Sequence, residues 1–234
     1  MNDLVNTLQQ KKFKILLTLY YSPLSPNARR VWVCLLEKQL EFHLHPLTLK
    51  GDQRNADFIA LNPFQQIPVL VEDGFRVVES LAILDYLEAR YPHPCFLPTN
   101  PQRLAIIRMV EQLTDQKLLY TLGSLISTPS ASESYQRSLA IVTRTLTFWD
   151  QLLGSDPYFG GPVLSLGDIV AGTTLPLFVR LGIDLSPYPA LHPWHDRLQQ
   201  RSAWQQTELS DAAWREFKRR ISILMLMAKR RCSN

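Results

Sequence analysis

The segment from Asn62 to Leu87 most strongly limits the structures that this chain can adopt. It contains two short apolar runs, Val69–Val71 and Phe75–Val78, which flank the dipeptide Asp73-Gly74. Asp-Gly between apolar runs of this kind is a strong signal for a β-hairpin. Pro68 precedes the first run, where a strand tolerates the missing N–H group. The segment therefore predicts a hairpin whose first strand follows a proline.

A helix is predicted directly after this hairpin. It begins at Glu79-Ser80, and apolar residues then recur at helical spacing at Leu81, Leu84 and Leu87. A proline, a hairpin and the N-terminus of a helix are thus close together. Backbone groups beside the proline and the positive end of a helix favour an anionic, peptide-like ligand.

This segment resembles the cytosolic glutathione transferase family, whose pattern is Asn-Pro-x-x-x-Ile/Val-Pro-x-Leu, a hairpin, and then Glu-Ser-x-Ala-Ile-x-x-Tyr-Leu. The chain matches the pattern at each of those positions. The resemblance implies that the bond before Pro68 is cis and that the backbone of Ile67 binds the cysteinyl part of glutathione. It also implies that Glu79 and Ser80 hold the γ-glutamyl end.

The first 91 residues alternate between predicted strands and helices, in the order βαβαββα. This order is thioredoxin-like, with a mixed sheet that has helices on both faces. We therefore predict an α/β glutathione-binding domain over residues 1–91, with a polar extension at residues 1–12. Besides the hairpin, the predicted elements are Phe13–Tyr20, Pro26–Gln39, Phe42–Leu47, Gln53–Leu61 and the helix from Glu79 to about Tyr91.

A proline-rich linker is predicted at residues 92–101, because its four prolines cannot continue a helix. Residues 102–234 then show helical spacing only, which predicts an all-α domain that ends in a basic helix. Its predicted helices include Gln102–Ser127 and Ser134–Leu153. Ser165 and Asp168 form a capping box at the start of another helix, so we interpret both as structural. The family resemblance extends over roughly residues 14–205, and it implies the glutathione transferase fold.

A donor for the glutathione thiol is expected after the first strand. The free thiol has a pKa of ~8.5 and is mostly protonated at neutral pH. Ser25 directly precedes Pro26, at the predicted start of a helix. Together with Arg29 and Val31, Ser25 resembles the Ser-x-x-x-Arg-x-Val segment of serine-type glutathione transferases (theta and phi classes). The resemblance implies that Ser25 activates the thiol.

Other residues compete with Ser25 for this role. Ser-Pro is also an ordinary N-cap signature, so Ser25 could be purely structural. Ser22, Tyr20 and Tyr21 are the alternative hydroxyl donors in the same segment. The segment has no Cys-x-x-Cys pair, which argues against disulfide exchange.

Two glutamines are candidates for binding the rest of glutathione. Gln53 lies nine residues before Asn62, where the family often places a residue that binds the glycyl carboxylate. Gln66 matches the glutamine of the Asn-Pro-Phe-Gly-Gln-Val-Pro motif in plant-like classes. The chain has Gln65 where that motif has glycine, so the loop backbone is expected to differ.

Composition excludes several classes of protein. The net charge is +4, and much of it lies near the end of the chain, where no nucleic-acid-binding motif accompanies it. We expect no nucleic-acid partner.

No apolar run approaches the ~20 residues of a membrane span. Met1–Lys12 also lacks the apolar core of a secretory signal, which predicts a cytoplasmic protein. The three cysteines do not have the spacing of a metal site, so we expect no bound metal. We expect Cys34 to be buried in a helix.

The sequence thus predicts a glutathione S-transferase with glutathione as co-substrate and a role in detoxification. Its thiolate would attack a small, apolar electrophile between the Ser25 loop and Met109–Tyr120, with the tail as a cover. A two-fold homodimer is expected, with Phe75–Tyr91 and Gln102–Ser127 near the axis. The alternative is a binding or regulatory protein of the same fold without catalytic activity.

Overall fold

The computed structural model describes residues 16–48 and 50–232. Four strands form one mixed sheet in the order β2-β1-β3-β4. Strands β1 and β2 are parallel, whereas β3 pairs antiparallel with both β1 and β4. The predicted hairpin is confirmed as β3 and β4. The polar extension at residues 1–12 and the predicted strand start at Phe13 lie outside the described residues. The strands are β1 (Leu17–Tyr21), β2 (Phe42–Pro46), β3 (Val69–Glu72) and β4 (Phe75–Val78).

Three helices pack around this sheet: α1 (Pro26–Glu37), α2 (Ala56–Leu61) and α3 (Ser80–Arg90). The prediction of one helix over Gln53–Leu61 is wrong. Asn55 has extended dihedral angles (φ −67°, ψ 145°), so it separates a short 3₁₀ turn from α2.

The strand register brings several loops to one edge of the sheet. Tyr21 at the end of β1 pairs with Pro46 at the end of β2, and Tyr20 pairs with Val69 at the start of β3. Val69 also pairs with Val78 at the end of β4. The segments that follow β1, β2 and β4 therefore meet the segment that precedes β3.

The second part of the chain is helical, as predicted. The predicted helix over Gln102–Ser127 is confirmed in extent, because residues 101–127 are helical throughout, but a π-helical turn at Thr114–Leu118 lies within it. A π turn accommodates one extra residue, and the hydroxyl of buried Thr114 donates to the Val110 carbonyl there. The helices are α4 (Pro101–Leu113), α5 (Leu119–Ser127), α6 (Glu133–Leu153), α7 (Leu166–Val179), α8 (Leu191–Gln199), α9 (Ser202–Gln206) and α10 (Asp211–Cys232).

The predicted capping box at the start of α7 is confirmed. The Asp168 carboxylate is fully buried and accepts hydrogen bonds from the backbone N–H groups of Phe159 (2.9 Å) and Ser165 (2.8 Å). It also accepts from the Ser165 hydroxyl (2.5 Å) and from the indole N–H of Trp194 (2.8 Å). Asp168 thus connects three segments of the helical part.

One continuous hydrophobic core joins the two parts of the chain. It includes Leu19 of β1, Val31 of α1, Ile107 of α4 and Trp194 of α8. In the portion of the chain that the structure describes, none of the helices is both long and apolar enough to cross a membrane.

Candidate active site

Ser25 caps the N-terminus of α1, with Pro26 as the first helical residue. Its hydroxyl oxygen accepts the Ala28 N–H at 3.2 Å, and its side chain is only partly buried. Because the oxygen acts as the acceptor in this cap, the hydroxyl hydrogen remains available for a further partner. The N–H groups and the positive dipole end of α1 lie beside it.

The alternative hydroxyl donors have different surroundings. Ser22 is 3% exposed, and its hydroxyl oxygen accepts the Leu24 N–H at 3.4 Å. Tyr20 packs against His45 with a ring-centroid distance of 4.6 Å. Tyr21 packs edge-on against Trp32, and burial raises its pKa. Ser25 is therefore the most accessible of the serine candidates.

The loop before β3 is organised by a buried asparagine. The Asn62 side chain donates to the Gln66 carbonyl at 2.8 Å and accepts the Phe64 N–H at 3.0 Å. Gln65 has φ 58°, in the left-handed region that favours glycine. The Gln66 side chain is exposed, and the Ile67–Pro68 bond is cis, as the family resemblance implied. Gln65 therefore adopts a backbone conformation that glycine adopts more easily.

Glu79 and Ser80 form the junction between β4 and α3. Glu79 is exposed and has φ 67°, which is unusual for a residue with a side chain and is frequent at functional sites. Ser80 is the first residue of α3 and is 5% exposed. The junction therefore turns sharply into the positive end of a helix, beside Pro68.

Behind Ser80 lies a buried arginine that the sequence analysis missed. The guanidinium of Arg30 donates to the Ser80 hydroxyl oxygen at 3.4 Å and to the Asp115 carboxylate at 2.6 Å. Burial lowers the pKa of Arg30, and Asp115 opposes this shift. The available signal was the Arg29-Arg30 pair within an apolar helix, because a buried cation requires partners.

The neighbouring Arg29, which matches the family motif, has a different environment. It donates to the Thr207 hydroxyl (3.3 Å), the Trp204 carbonyl (3.3 Å) and the Thr173 carbonyl (3.4 Å). All three acceptors belong to the helical part, and burial lowers the pKa of Arg29 to about 10. Arg29 thus fastens α1 to the helical part.

We expect Arg29→Met to lower the free energy of unfolding by about 2–4 kcal/mol, because it leaves buried carbonyl groups without a donor. Urea unfolding followed by circular dichroism measures this loss. The exposed Arg137, paired with Glu133 on α6, is a matched control. Arg137→Met is expected to change stability by less than about 1 kcal/mol. Equal losses in both variants would contradict the anchoring role.

A cavity of about 560 Å³ lies next to the Ser25 loop. Helix α10, the tail of the chain, lines this cavity together with Leu24 of the Ser25 loop. The predicted cleft between the Ser25 loop and Met109–Tyr120, with the tail as a cover, stays a prediction. Arg220 of α10 donates to the Thr48 carbonyl at 2.8 Å, which holds the helix over the loop after β2. The lining residues are Leu24, Lys50, Gln53, Phe217, Arg219, Arg220, Ile221, Ile223, Leu224 and Met227.

Gln53 places a polar group in this mostly apolar cavity. Its side-chain oxygen is buried and has no hydrogen-bond partner within residues 16–48 and 50–232. Buried polar atoms are nearly always paired, so the unpaired Gln53 oxygen is unusual. A ligand that pairs with this oxygen must supply a hydrogen-bond donor. If the Gln53 amide is flipped, its NH₂ group can instead donate to a carboxylate of the ligand.

Cys34 and Cys95 do not belong to this arrangement. Cys34 is buried in α1, as predicted, and burial raises its pKa to about 12. A thiol with this pKa is a poor nucleophile at neutral pH. Among the residues that the structure describes, no group of three or more His, Cys, Asp or Glu side chains is arranged to hold a metal ion.

Comparison with known proteins agrees with this geometry. Residues 19–95 match the family model described as "Glutathione S-transferase, N-terminal domain". Residues 132–197 match the model described as "Glutathione S-transferase, C-terminal domain". The two matches correspond to the α/β part and to the centre of the helical part.

Relatives and solved structures give the same result. The chain is 32% identical to maleylacetoacetate isomerase of Mus musculus, over 69% of this chain and 78% of the relative. It is 29% identical to glutathione S-transferase F10 of Arabidopsis thaliana, over 87% of this chain and 97% of the relative. The theta class glutathione S-transferase of Xanthomonas axonopodis pv. citri, solved with glutathione bound, matches with a TM-score of 0.69 and 25% identity, over 83% of this chain and 97% of that one. The chain therefore belongs to the glutathione S-transferase family.

Proposed function

We propose that this protein is a glutathione S-transferase that holds glutathione at the edge of its sheet and ionises the thiol with Ser25. One observation carries the proposal. The strand register brings the Ser25 loop, the Ile67-Pro68 segment and the Glu79-Ser80 junction to the same edge. A tripeptide bound there would have its thiol beside Ser25 and its γ-glutamyl end beside Ser80.

Ser25 would act by stabilising the thiolate more than the thiol. Its hydroxyl donates to the sulfur, while its oxygen continues to cap α1. The N-terminus of α1 adds positive potential at the same place. Each unit by which the thiol pKa falls requires ~1.4 kcal/mol of such differential stabilisation.

The rest of glutathione would be held by polar groups around the edge. Glu79 and Ser80 bind the γ-glutamyl amine and carboxylate, and the Ile67 backbone before Pro68 aligns the cysteinyl unit. Gln53 and Gln66 bind the glycyl end. The unpaired oxygen of Gln53 supports a role for its amide in ligand binding.

The second substrate would enter the cavity beneath α10. Its walls are mainly apolar, as expected for a small electrophile with a hydrophobic body. The thiolate attacks an electrophilic carbon there, so that a sulfur–carbon bond forms and the leaving group departs with its electron pair. Because the fold alone does not fix the reaction, the name of the mouse relative makes isomerisation of maleylacetoacetate a second reaction to assay.

Two measurements test this function. The protein should be retained on immobilised glutathione and should conjugate glutathione to a chlorinated nitroarene or isomerise maleylacetoacetate. Retention without either reaction would favour the alternative, a binding or regulatory protein of the same fold. Absence of retention would contradict glutathione binding itself.

Ser80→Ala and Glu79→Gln should each weaken glutathione binding by about one to two decades. The reason is that a hydrogen bond to a charged group contributes ~1.5–3 kcal/mol. Titration calorimetry measures the change. Wild-type affinity in both variants would rule out the γ-glutamyl site assigned to them.

We also propose a two-fold homodimer with the hairpin, α3, α4 and α5 near its axis. Large apolar side chains are exposed on these elements: Phe75 (59% exposed), Met109 (39%) and Tyr120 (81%). Sedimentation equilibrium at low micromolar concentration should give twice the 26.9 kDa of one chain. Tyr120→Glu should lower this mass towards that of one chain. A wild-type mass near 26.9 kDa would contradict the dimer.

The domain boundaries and the location belong to the same proposal. Residues 1–91 would form the glutathione-binding domain, residues 92–101 the linker and residues 102–234 the helical domain. We propose a cytoplasmic detoxification role, in line with the conjugation chemistry. Limited proteolysis that cleaves within residues 92–101 would support these boundaries.

A further inference from the structure

We propose that Arg30 is a positioning residue for glutathione. It fixes the direction of the Ser80 hydroxyl, so that Ser80 donates to the γ-glutamyl carboxylate. The inference rests on the proposed function, since it concerns the same ligand. It adds a residue that acts through Ser80 without touching glutathione.

Arg30 is buried without being fully paired. Its side chain is 0% exposed. Its Nη1 contacts Ser80 and Asp115, while its Nε and Nη2 are buried and have no partner in the described part of the chain. Arg29 differs, because its Nε, Nη1 and Nη2 each donate to an acceptor of the helical part. All three guanidinium nitrogens of Arg29 are thus paired, whereas among the described residues only one of the three of Arg30 is, although Asp115 and Glu111 also stabilise its charge.

An incompletely paired buried cation lowers stability. A well-packed apolar side chain of similar volume often replaces such a cation with little loss or with a gain. Arg30 follows the buried Arg29 in α1, and this pair lies between Ala28 and Val31, both of which are fully buried. Its presence there points to a task that an apolar residue could not perform.

The chemistry of the pair defines that task. A guanidinium has five N–H donors and no acceptor, so the Ser80 oxygen must accept from Arg30. The single hydrogen of the Ser80 hydroxyl is then directed away from Arg30. In this orientation Ser80 presents a donor at the N-terminus of α3, where a carboxylate is also favoured by the helix dipole. Without Arg30, the hydroxyl would rotate freely and would present an oxygen lone pair to the carboxylate part of the time.

Asp115 fixes Arg30 from the helical part. Its carboxylate lies 2.6 Å from Nη1 and is 29% exposed. Asp115 belongs to the π-helical turn at Thr114–Leu118, which changes the direction of the side chains relative to a regular helix. Such turns are rare and occur frequently at functional sites. The turn thus brings an acceptor to Arg30 from a residue 85 positions away.

A double-mutant cycle tests this role. The four proteins are the wild type, Arg30→Met, Ser80→Ala and the double variant, each examined by glutathione calorimetry and steady-state kinetics. We expect Arg30→Met to raise Kd and KM for glutathione about fivefold to tenfold, with kcat within twofold. In the Ser80→Ala background the same substitution should change Kd by less than twofold, because the residue through which it acts is absent. Arg30→Lys should restore part of the affinity.

The outcomes are distinguishable. A wild type that binds glutathione, together with equal Kd increases from Arg30→Met in both backgrounds, would overturn the inference and leave the proposed function intact. A wild type that does not bind glutathione would overturn both. Should Arg30→Met fail to fold, Asp115→Asn replaces it in the cycle. A twofold to fivefold Kd increase that disappears in the Ser80→Ala background would then support the role, and an increase that persists would refute it.

Discussion

Ser25→Ala is expected to lower kcat/KM for conjugation by about 10²–10³-fold, the usual loss when one preorganised donor to a developing anion is removed. Glutathione affinity should stay within a few-fold, because the hydroxyl stabilises the ionised sulfur more than it contributes to binding the rest of the tripeptide. The pH–rate profile should move to higher pH, towards the ~8.5 of a free thiol. Steady-state kinetics with a chlorinated nitroarene between pH 6 and 9 measures both effects.

Loss of the N-cap is a separate consequence of this substitution, and it needs a control. Ser132 caps α6 and accepts the Tyr135 N–H at 3.2 Å, the same distance as in the Ser25 cap. Ser132→Ala should lower stability by a similar amount, roughly 0.5–2 kcal/mol, without reducing turnover. Unchanged turnover and an unchanged pH profile in Ser25→Ala would reject Ser25 and transfer the role to Ser22 or Tyr20.

Asp168→Ala is expected to have the largest effect on stability, a loss of about 4 kcal/mol or more. It removes the acceptor from Phe159, Ser165 and Trp194 at once, in a region without solvent. Because a typical domain is stable by only ~5–15 kcal/mol, we expect a much lower midpoint in urea unfolding. Activity per folded molecule should change little, since the Asp168 carboxylate binds Phe159, Ser165 and Trp194, none of which we assign to glutathione binding.

A surface aspartate provides the matched control. Asp184 is exposed and accepts the Ser186 N–H at 2.9 Å. Asp184→Ala should change the free energy of unfolding by less than about 1 kcal/mol. A loss below about 1.5 kcal/mol in Asp168→Ala would show that its donors find other acceptors, and the proposed structural role would then be wrong.

The sequence predicted well those features that local chemistry determines. The hairpin follows from Asp73-Gly74 between two apolar runs, and the start of α7 follows from Ser165 and Asp168. Each of these signals lies within a few residues of the structure that it specifies. The Ser25 cap is of the same kind, although the sequence did not separate its structural role from a catalytic one.

The features that the sequence did not predict depend on distant contacts. The π turn adds one residue inside a stretch that stays helical, and Thr114–Leu118 contains no glycine or proline that would have signalled it. The pairing of Arg30 with Asp115 exists only because α1 packs beside that turn. Similarly, the position of α10 over Gln53 depends on tertiary packing and on Arg220, which binds the Thr48 carbonyl.

The attachment of α1 to the helical part also bears on how such proteins can be recombined. Arg29 finds its acceptors at Thr173, Trp204 and Thr207, and a continuous core crosses the junction. An α/β fragment expressed alone would therefore lack both a covering surface and the partners of a buried cation. A chimera that takes its helical half from a relative should fold well only if that half supplies equivalent hydrogen-bond acceptors for Arg29. Thermal unfolding of the intact chain should proceed as one cooperative transition.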